Sequence, residues 1–272
     1  MKKLLLLTAI LPLLLFSSCS HKDDIVDNYN NTPPAAPTGL IAANGDGTVY
    51  LSWNKNRESY VAGYNIYVSN TYKGKYQRIG NTVDTYFEDV AAANGATYYY
   101  AVTAYDNNGN ESDLSLEDAH MTPRPEGYNK IINDYNKYPA TAGFAFASAT
   151  VVAYDDNYAD VFFDVDTNTG VPYLDVYDKT QIYDAGTTSS IADIAYPPTN
   201  GWVNTYLRAY AGHTYIIITQ EGNYAKLRIN SMNTQSITFD WSYQTVAGNT
   251  DLSITRGKHN RTVIRSNTAN QK

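Results

Sequence analysis

The chain has 272 residues with 20 basic and 27 acidic side chains, a formal charge of −7, and 26 tyrosines. An acidic balance of this kind argues against nucleic acid or anionic lipid as the main partner. A single cysteine excludes an internal disulfide, and the length suffices for two domains of ordinary size.

Lys2 and Lys3 open the chain and residues 4–16 are an apolar run of signal-peptide length, too short to span a bilayer. Ser17 and Ser18 are the small residues a peptidase needs immediately before Cys19. Phe16-Ser17-Ser18-Cys19 resembles a lipobox, with Phe where Leu is more usual. The resemblance implies removal of residues 1–18 and lipid attachment at Cys19; an ordinary secretory signal that happens to hold a cysteine is the alternative. Ser20-His21-Lys22-Asp23-Asp24 resembles the export signal that places Bacteroidota lipoproteins on the outer face of the outer membrane, the alternative being a solvated linker start. Acyl chains stabilise membrane association by about 0.8 kcal/mol per buried methylene, so the expected localisation is the outer membrane, lipid-anchored and facing the cell exterior. Loss of residues 1–18 deletes both lysines and moves the formal charge to −9 (18 basic against 27 acidic). Residues 19–34 are polar, without hydrophobic period, and read as a flexible tether.

Residues 35–123 divide into short, regularly spaced strand patterns. Val49, Leu51 and Trp53 alternate onto one face, as do Tyr64, Ile66 and Val68, and then Tyr98, Tyr100, Val102 and Ala104. Asp106-Asn107-Asn108-Gly109 is a turn of residues that tolerate positive φ. Pro37-Thr38-Gly39-Leu40, Leu51-Ser52-Trp53, Gly63-Tyr64-Asn65-Ile66-Tyr67, Asn94-Gly95-Ala96-Thr97-Tyr98 and Gly109-Asn110-Glu111-Ser112 together resemble a fibronectin type III domain. The resemblance implies a β-sandwich, with Trp53 in its core and Tyr98 as a corner tyrosine whose hydroxyl reaches backbone. It also implies a spacer rather than a dedicated binding site.

Thr122-Pro123-Arg124-Pro125 is a stiff junction. Beyond it, the apolar positions at 128, 131, 132, 135 and 138 have helix-like spacing. Strand patterns resume at residues 144–146, 150–154, 160–165, 172–177, 202–210, 213–219, 224–230 and 236–243. Residues 127–255 are therefore expected to form a second antiparallel β-sandwich of seven or eight strands, making the chain all-β. Residues 256–272 carry five Lys or Arg and no acid, and read as a basic disordered tail.

Asp164, Asp166 and Asn168 have the 1, 3, 5 spacing of a calcium loop, with Asp175 at position 12. Thr169 occupies the sixth position, where such a loop needs glycine, and the flanking residues favour a hairpin instead. Three later stretches, around Gly212-His213, Tyr224-Ala225-Lys226 and Phe239-Asp240-Trp241, are similar to the closing strands of HmuY-type surface lipoproteins. That resemblance implies haem held by axial histidine or methionine, for which His213 and Met232 are the residues available. Trp202 and Trp241 are candidate ligand-binding aromatics, Trp202 within Tyr196-Pro197-Pro198-Thr199-Asn200-Gly201-Trp202. A core role is the alternative for Trp202, and a hydrogen-bonded structural role for His213.

No nucleophile elbow, zinc-protease motif or phosphate loop occurs, so a non-enzymatic role is expected. Paired glycosidase carboxylates are a three-dimensional property that sequence does not expose. The resulting expectation is a lipid-anchored surface binding or adhesion protein, without catalytic residues or nucleic-acid partner. Its ligand would be a protein, glycan or small nutrient; haem acquisition and glycan capture are the alternatives, and calcium or haem the only cofactors left open.

Overall fold

The alternating runs of residues 35–123 close into a sandwich because each buries one face against the other. The computed structural model describes residues 32–177 and 179–256, so Cys19, its leader, the tether up to residue 31 and the tail from 257 lie outside the described residues. The first sandwich contains β1 (Thr38–Gly45), β2 (Thr48–Asn54), β3 (Val61–Ser69), β4 (Gln77–Thr82), β5 (Tyr86–Asp89), β6 (Tyr98–Asp106) and β7 (Ala119–Met121). One sheet includes β1-β2-β5 and the other runs β4-β3-β6-β7, all antiparallel. Leu40, Val49, Leu51, Trp53, Ile66, Tyr100 and Val102 fill the space between them. Trp53 packs edge-on to Tyr64, with ring centroids 5.4 Å apart. The Tyr98 hydroxyl accepts from Ala93 N at 3.0 Å, tying a strand start to the preceding turn as a corner tyrosine does.

The second sandwich contains β8 (Glu126–Asn133), β9 (Gly143–Ala145), β10 (Thr150–Val152), β11 (Val161–Val165), β12 (Pro172–Val176), β13 (Gln181–Thr187), β14 (Tyr206–Arg208), β15 (His213–Ile218), β16 (Tyr224–Met232) and β17 (Ser236–Tyr243). Its sheets run β10-β9-β11-β12-β14 and β13-β15-β16-β17-β8. Phe144 sits at the centre of the core, its ring 5.1, 5.2 and 5.6 Å from those of Phe146, Phe239 and Trp241.

Three strands depart from the sequence expectation, and the second sandwich holds ten strands, β8–β17, rather than seven or eight. The helix-like spacing of residues 128–138 belongs mostly to β8, paired antiparallel to β17. Two residues, Tyr128 and Asn129, oppose the single Asp240; Asn129 has φ +55° and its N–H donates to Asp240 Oδ1 at 3.0 Å. This bulge breaks the two-residue alternation and imitates a helical period, leaving Tyr128 and Ile131 exposed and Ile132 buried. β13 is masked in the sequence because Asp184 and Gly186 interrupt its apolar pattern at a second register shift.

A last strand, β18 (Ile254–Arg256), pairs antiparallel with β1 and completes that sheet as β18-β1-β2-β5. Residues grouped by sequence with the second domain, and the first residue of the supposed tail, thus form part of the first sandwich. The connecting segment is pinned as it crosses. Leu252 N donates to Ala195 O at 2.8 Å, Ser253 Oγ donates to Ala192 O at 2.6 Å, and an Arg124 Nη2–H donates to Leu252 O. Leu252 itself is buried. A chain ending at Asn249 loses the β1 pairing and the Leu252 burial, at about 0.5–1.5 kcal/mol per hydrogen bond and about 1.5–3 kcal/mol for the leucine. We expect its urea midpoint to fall clearly below that of the full chain, and an unchanged midpoint would show that this return strand contributes little.

Candidate functional site

The outer face of the β10-β9-β11-β12-β14 sheet combines aromatic rings with half-buried carboxyls. In β11, Val161, Phe163 and Val165 point into the core, so Phe162 and Asp164 point out; in β12, Leu174 and Val176 point in, so Tyr173 and Asp175 point out. Register places Phe162, Asp175 and Tyr206 in one cross-strand row and Asp164, Tyr173 and Arg208 in the next. Tyr135, Tyr154 and Tyr177 gather round Phe162, with centroids 5.5, 5.8 and 5.3 Å from its ring. Tyr173 meets Tyr206 edge-on at 5.3 Å, and Tyr206 is exposed.

Asp164, Asp166, Tyr173, Asp175 and Tyr206 line a cavity of about 230 Å³. Burial, with the Asp164 charge second, raises the Asp175 carboxyl to a pKa of about 7. Its Oδ2 is buried without a hydrogen-bond partner. Asp164 is also raised, chiefly by burial, although Asn136 Nδ2 donates to its Oδ1 at 2.8 Å. Burial lifts the Tyr177 phenol to about 12, and its hydroxyl likewise has no partner. The face therefore sets aromatic rings, among them the exposed Tyr206, beside two carboxyls, a combination suited to a polyhydroxylated ring.

The four residues of the calcium spacing separate. Asp164, Asp166 and Asp175 line the cavity; Asn168 does not, and sits in the exposed hairpin turn. Asp166 Oδ1 accepts from Asn168 N at 3.0 Å, Thr169 N at 2.7 Å and Thr169 Oγ1 at 2.8 Å, which lowers the pKa of its carboxyl and commits it to the turn. Gly170, at φ +68°, closes that hairpin. Among the described residues, no group of three or more His, Cys, Asp or Glu has the arrangement of a metal site.

The other candidates fall elsewhere. Trp241 is 4% exposed and packed against Phe144, so it is a core residue and not a ligand-binding one. Gly127 lies beneath it, where an added Cβ would come within 2.5 Å of the indole nitrogen. Trp202 is half-buried on the outer face of the other sheet, tilted against Tyr183 at 6.0 Å and Tyr224 at 6.3 Å, and so outside the core. His213 Nδ1 lies 3.0 Å from both Asp184 oxygens, and its ring rests 4.9 Å from that of Tyr210. Met232 packs against the core. Both residues named for haem are thus engaged within the protein. Tyr135, Tyr154 and Tyr177 were not singled out by sequence, although the outward alternation of β11 and β12 was visible.

No protein-family model matches the chain. An amylopullulanase of Thermoanaerobacterium saccharolyticum is 38% identical over 103 residues, 38% of this chain but 8% of the enzyme. Exoglucanase B of Cellulomonas fimi is 30% identical over 119 residues, 42% of this chain and 10% of that protein. The chain thus spans a tenth or less of these relatives. Among solved structures, a Fn3-like protein from Clostridium thermocellum is 32% identical, covering 35% of this chain and 97% of its own, with a TM-score of 0.31. The fibronectin type III domain of a human protein is 18% identical, covering 35% and 89%, with a TM-score of 0.29. The first sandwich is fibronectin type III-like.

Because the pKa of Asp175 is higher in the folded protein than its usual 3.8, ionisation costs stability that grows as pH rises from there to about 7. Asp175→Asn removes that cost. The variant should melt higher than the parent at pH 8, with a much smaller difference at pH 4.5; an equal difference at both would contradict the raised pKa.

Proposed function

We propose that the chain is a lipid-anchored, non-catalytic glycan-binding protein displayed on the cell exterior. Its fibronectin type III-like sandwich serves as the spacer and its second sandwich as the binding module. The observation that carries the reading is the row of aromatic rings flanking Asp164 and Asp175 on the outer face of β11, β12 and β14. Apolar rings supply contact area to sugar ring faces while the carboxyls and phenols fix orientation through hydroxyl hydrogen bonds. The curated relatives are named as enzymes acting on glucans, and the matched share of each is small enough to be an accessory portion. The Phe16-Ser17-Ser18-Cys19 sequence supports the anchor.

Affinity electrophoresis in gels containing neutral and acidic polysaccharides tests the binding role. Retardation by at least one polysaccharide is expected, and Tyr206→Ala or Tyr173→Ala should weaken it about tenfold, the equivalent of about 1.4 kcal/mol. Trp202→Ala should leave it unchanged. Release of reducing ends from the bound polysaccharide would instead make the Asp164–Asp175 pair catalytic, and absence of retardation throughout would remove the glycan reading. For the anchor, Cys19→Ser should move the protein from the membrane to the soluble fraction of its native host, while retention in the membrane fraction would refute lipid attachment at that residue.

A further inference from the structure

Where the two sandwiches meet, a cavity of about 260 Å³ is lined by residues of both, including Asn44, Tyr50, Arg124, Glu126, Ala192 and Lys226. Two of these are buried cations. Arg124 is 2% exposed; its Nη2 donates to Leu252 O, while its Nε and Nη1 are buried without a hydrogen-bond partner. Lys226 is 1% exposed and its Nζ donates to Ile191 O at 2.6 Å and Ile194 O at 3.0 Å, carbonyls that take two of its three hydrogens without neutralising its charge.

The acids nearby act on these cations through charge, Glu126 and Asp251 on Arg124 and Glu126 and Asp193 on Lys226, but spend their hydrogen bonds elsewhere. Glu126 Oε2 accepts from Asn44 Nδ2 at 3.0 Å and its Oε1 from the Tyr128 hydroxyl at 2.6 Å. Asp251 faces His120 Nε2 at 3.6 Å. Asp193 Oδ2 accepts from the N–H groups of Ser189 and Ser190 and from the Ser189 hydroxyl. No carboxylate lies within 4.0 Å of Arg124 or Lys226 among the described residues. A buried guanidinium with idle donors is costly unless something polar answers it. At the cavity mouth, Tyr50 and Tyr128 are exposed and supply apolar contact area.

We propose that this seam is a binding site for an oxyanion, a carboxylate or sulfate of the kind borne by acidic sugars, with Arg124 as its principal donor and Lys226 as the second charge. The guanidinium would supply charge-assisted hydrogen bonds to the anion, stronger than neutral ones. Tyr50 and Tyr128 would flank the ring that carries it. The site is separate from the β11–β12–β14 face and does not depend on the role proposed for that face.

Thermal-shift titrations of the full chain with sodium sulfate, inorganic phosphate and sodium glucuronate, each against chloride at equal ionic strength, test the proposal. A saturable rise in Tm with sulfate or glucuronate is expected, since a ligand of the folded state stabilises it by mass action. The relative strength of the two separates sulfate from carboxylate recognition. Arg124→Gln should abolish the rise. Should that variant fail to fold, the exposed cavity wall offers a charge pair: Ala192→Glu should weaken binding at least tenfold and Ala192→Lys should strengthen it. No saturable rise beyond chloride with any probe would overturn the site. So would a rise unaffected by the Ala192 substitutions, which would place the anion elsewhere.

Discussion

The return of the chain to β1 is the constraint on which the remaining architecture depends. The polypeptide leaves the first sandwich through residues 122–125, builds the whole second sandwich, and comes back so that β18 pairs with β1. Between departure and return, Arg124 and Leu252 meet face to face, the guanidinium donating to the leucine carbonyl across 128 residues of sequence. A hydrogen bond from a charged donor in a water-excluded place is among the stronger kinds, and here it joins the first and last segments of the second sandwich. At that point the seam is packed rather than hinged: Arg124, Lys226 and Leu252 are buried at a level usual for a domain interior.

That packing explains why polar groups are unevenly satisfied. Lys226 lies in the middle of β16, on the face turned away from the sandwich core. Residues 191–194 cover it and present two carbonyls to its ammonium. The turn that does this is held by a capping box in which Ser190 and Asp193 exchange hydrogen bonds. Burial pulls the Lys226 pKa well below its ordinary value, the Arg124 charge adding to the effect. The molecule has thus placed two cations in low-dielectric surroundings, where each raises the cost of the other.

Much of the fold was legible because alternation is a local signal. Val161-Phe162-Phe163-Asp164-Val165 shows unaided which side chains turn outward, and the fibronectin-like motifs lie within single strands or turns. What stayed hidden depended on long-range pairing. β8 presented a false helical period because a bulge at Asn129 shifts its phase, and nothing in Ile254-Thr255-Arg256 announces β1 as its partner. The candidate site was half visible. The hairpin that carries Asp164 and Asp175 is legible from its flanks, but not that register makes the two carboxyls diagonal neighbours on adjacent strands. Tyr135 and Tyr154 join them from segments outside β11 and β12, brought in by ring contacts that no spacing reveals.

Domains of the fibronectin type III kind are commonly regarded as interchangeable beads, each complete between its own first and last strand. This one carries a strand beyond those of its own segment. Its outermost strand is supplied from beyond the end of its neighbour, more than a hundred residues after its own β7. A gene fusion that borrowed only the first bead would carry away both sheets but leave β1 as a bare edge, open to pairing with another chain.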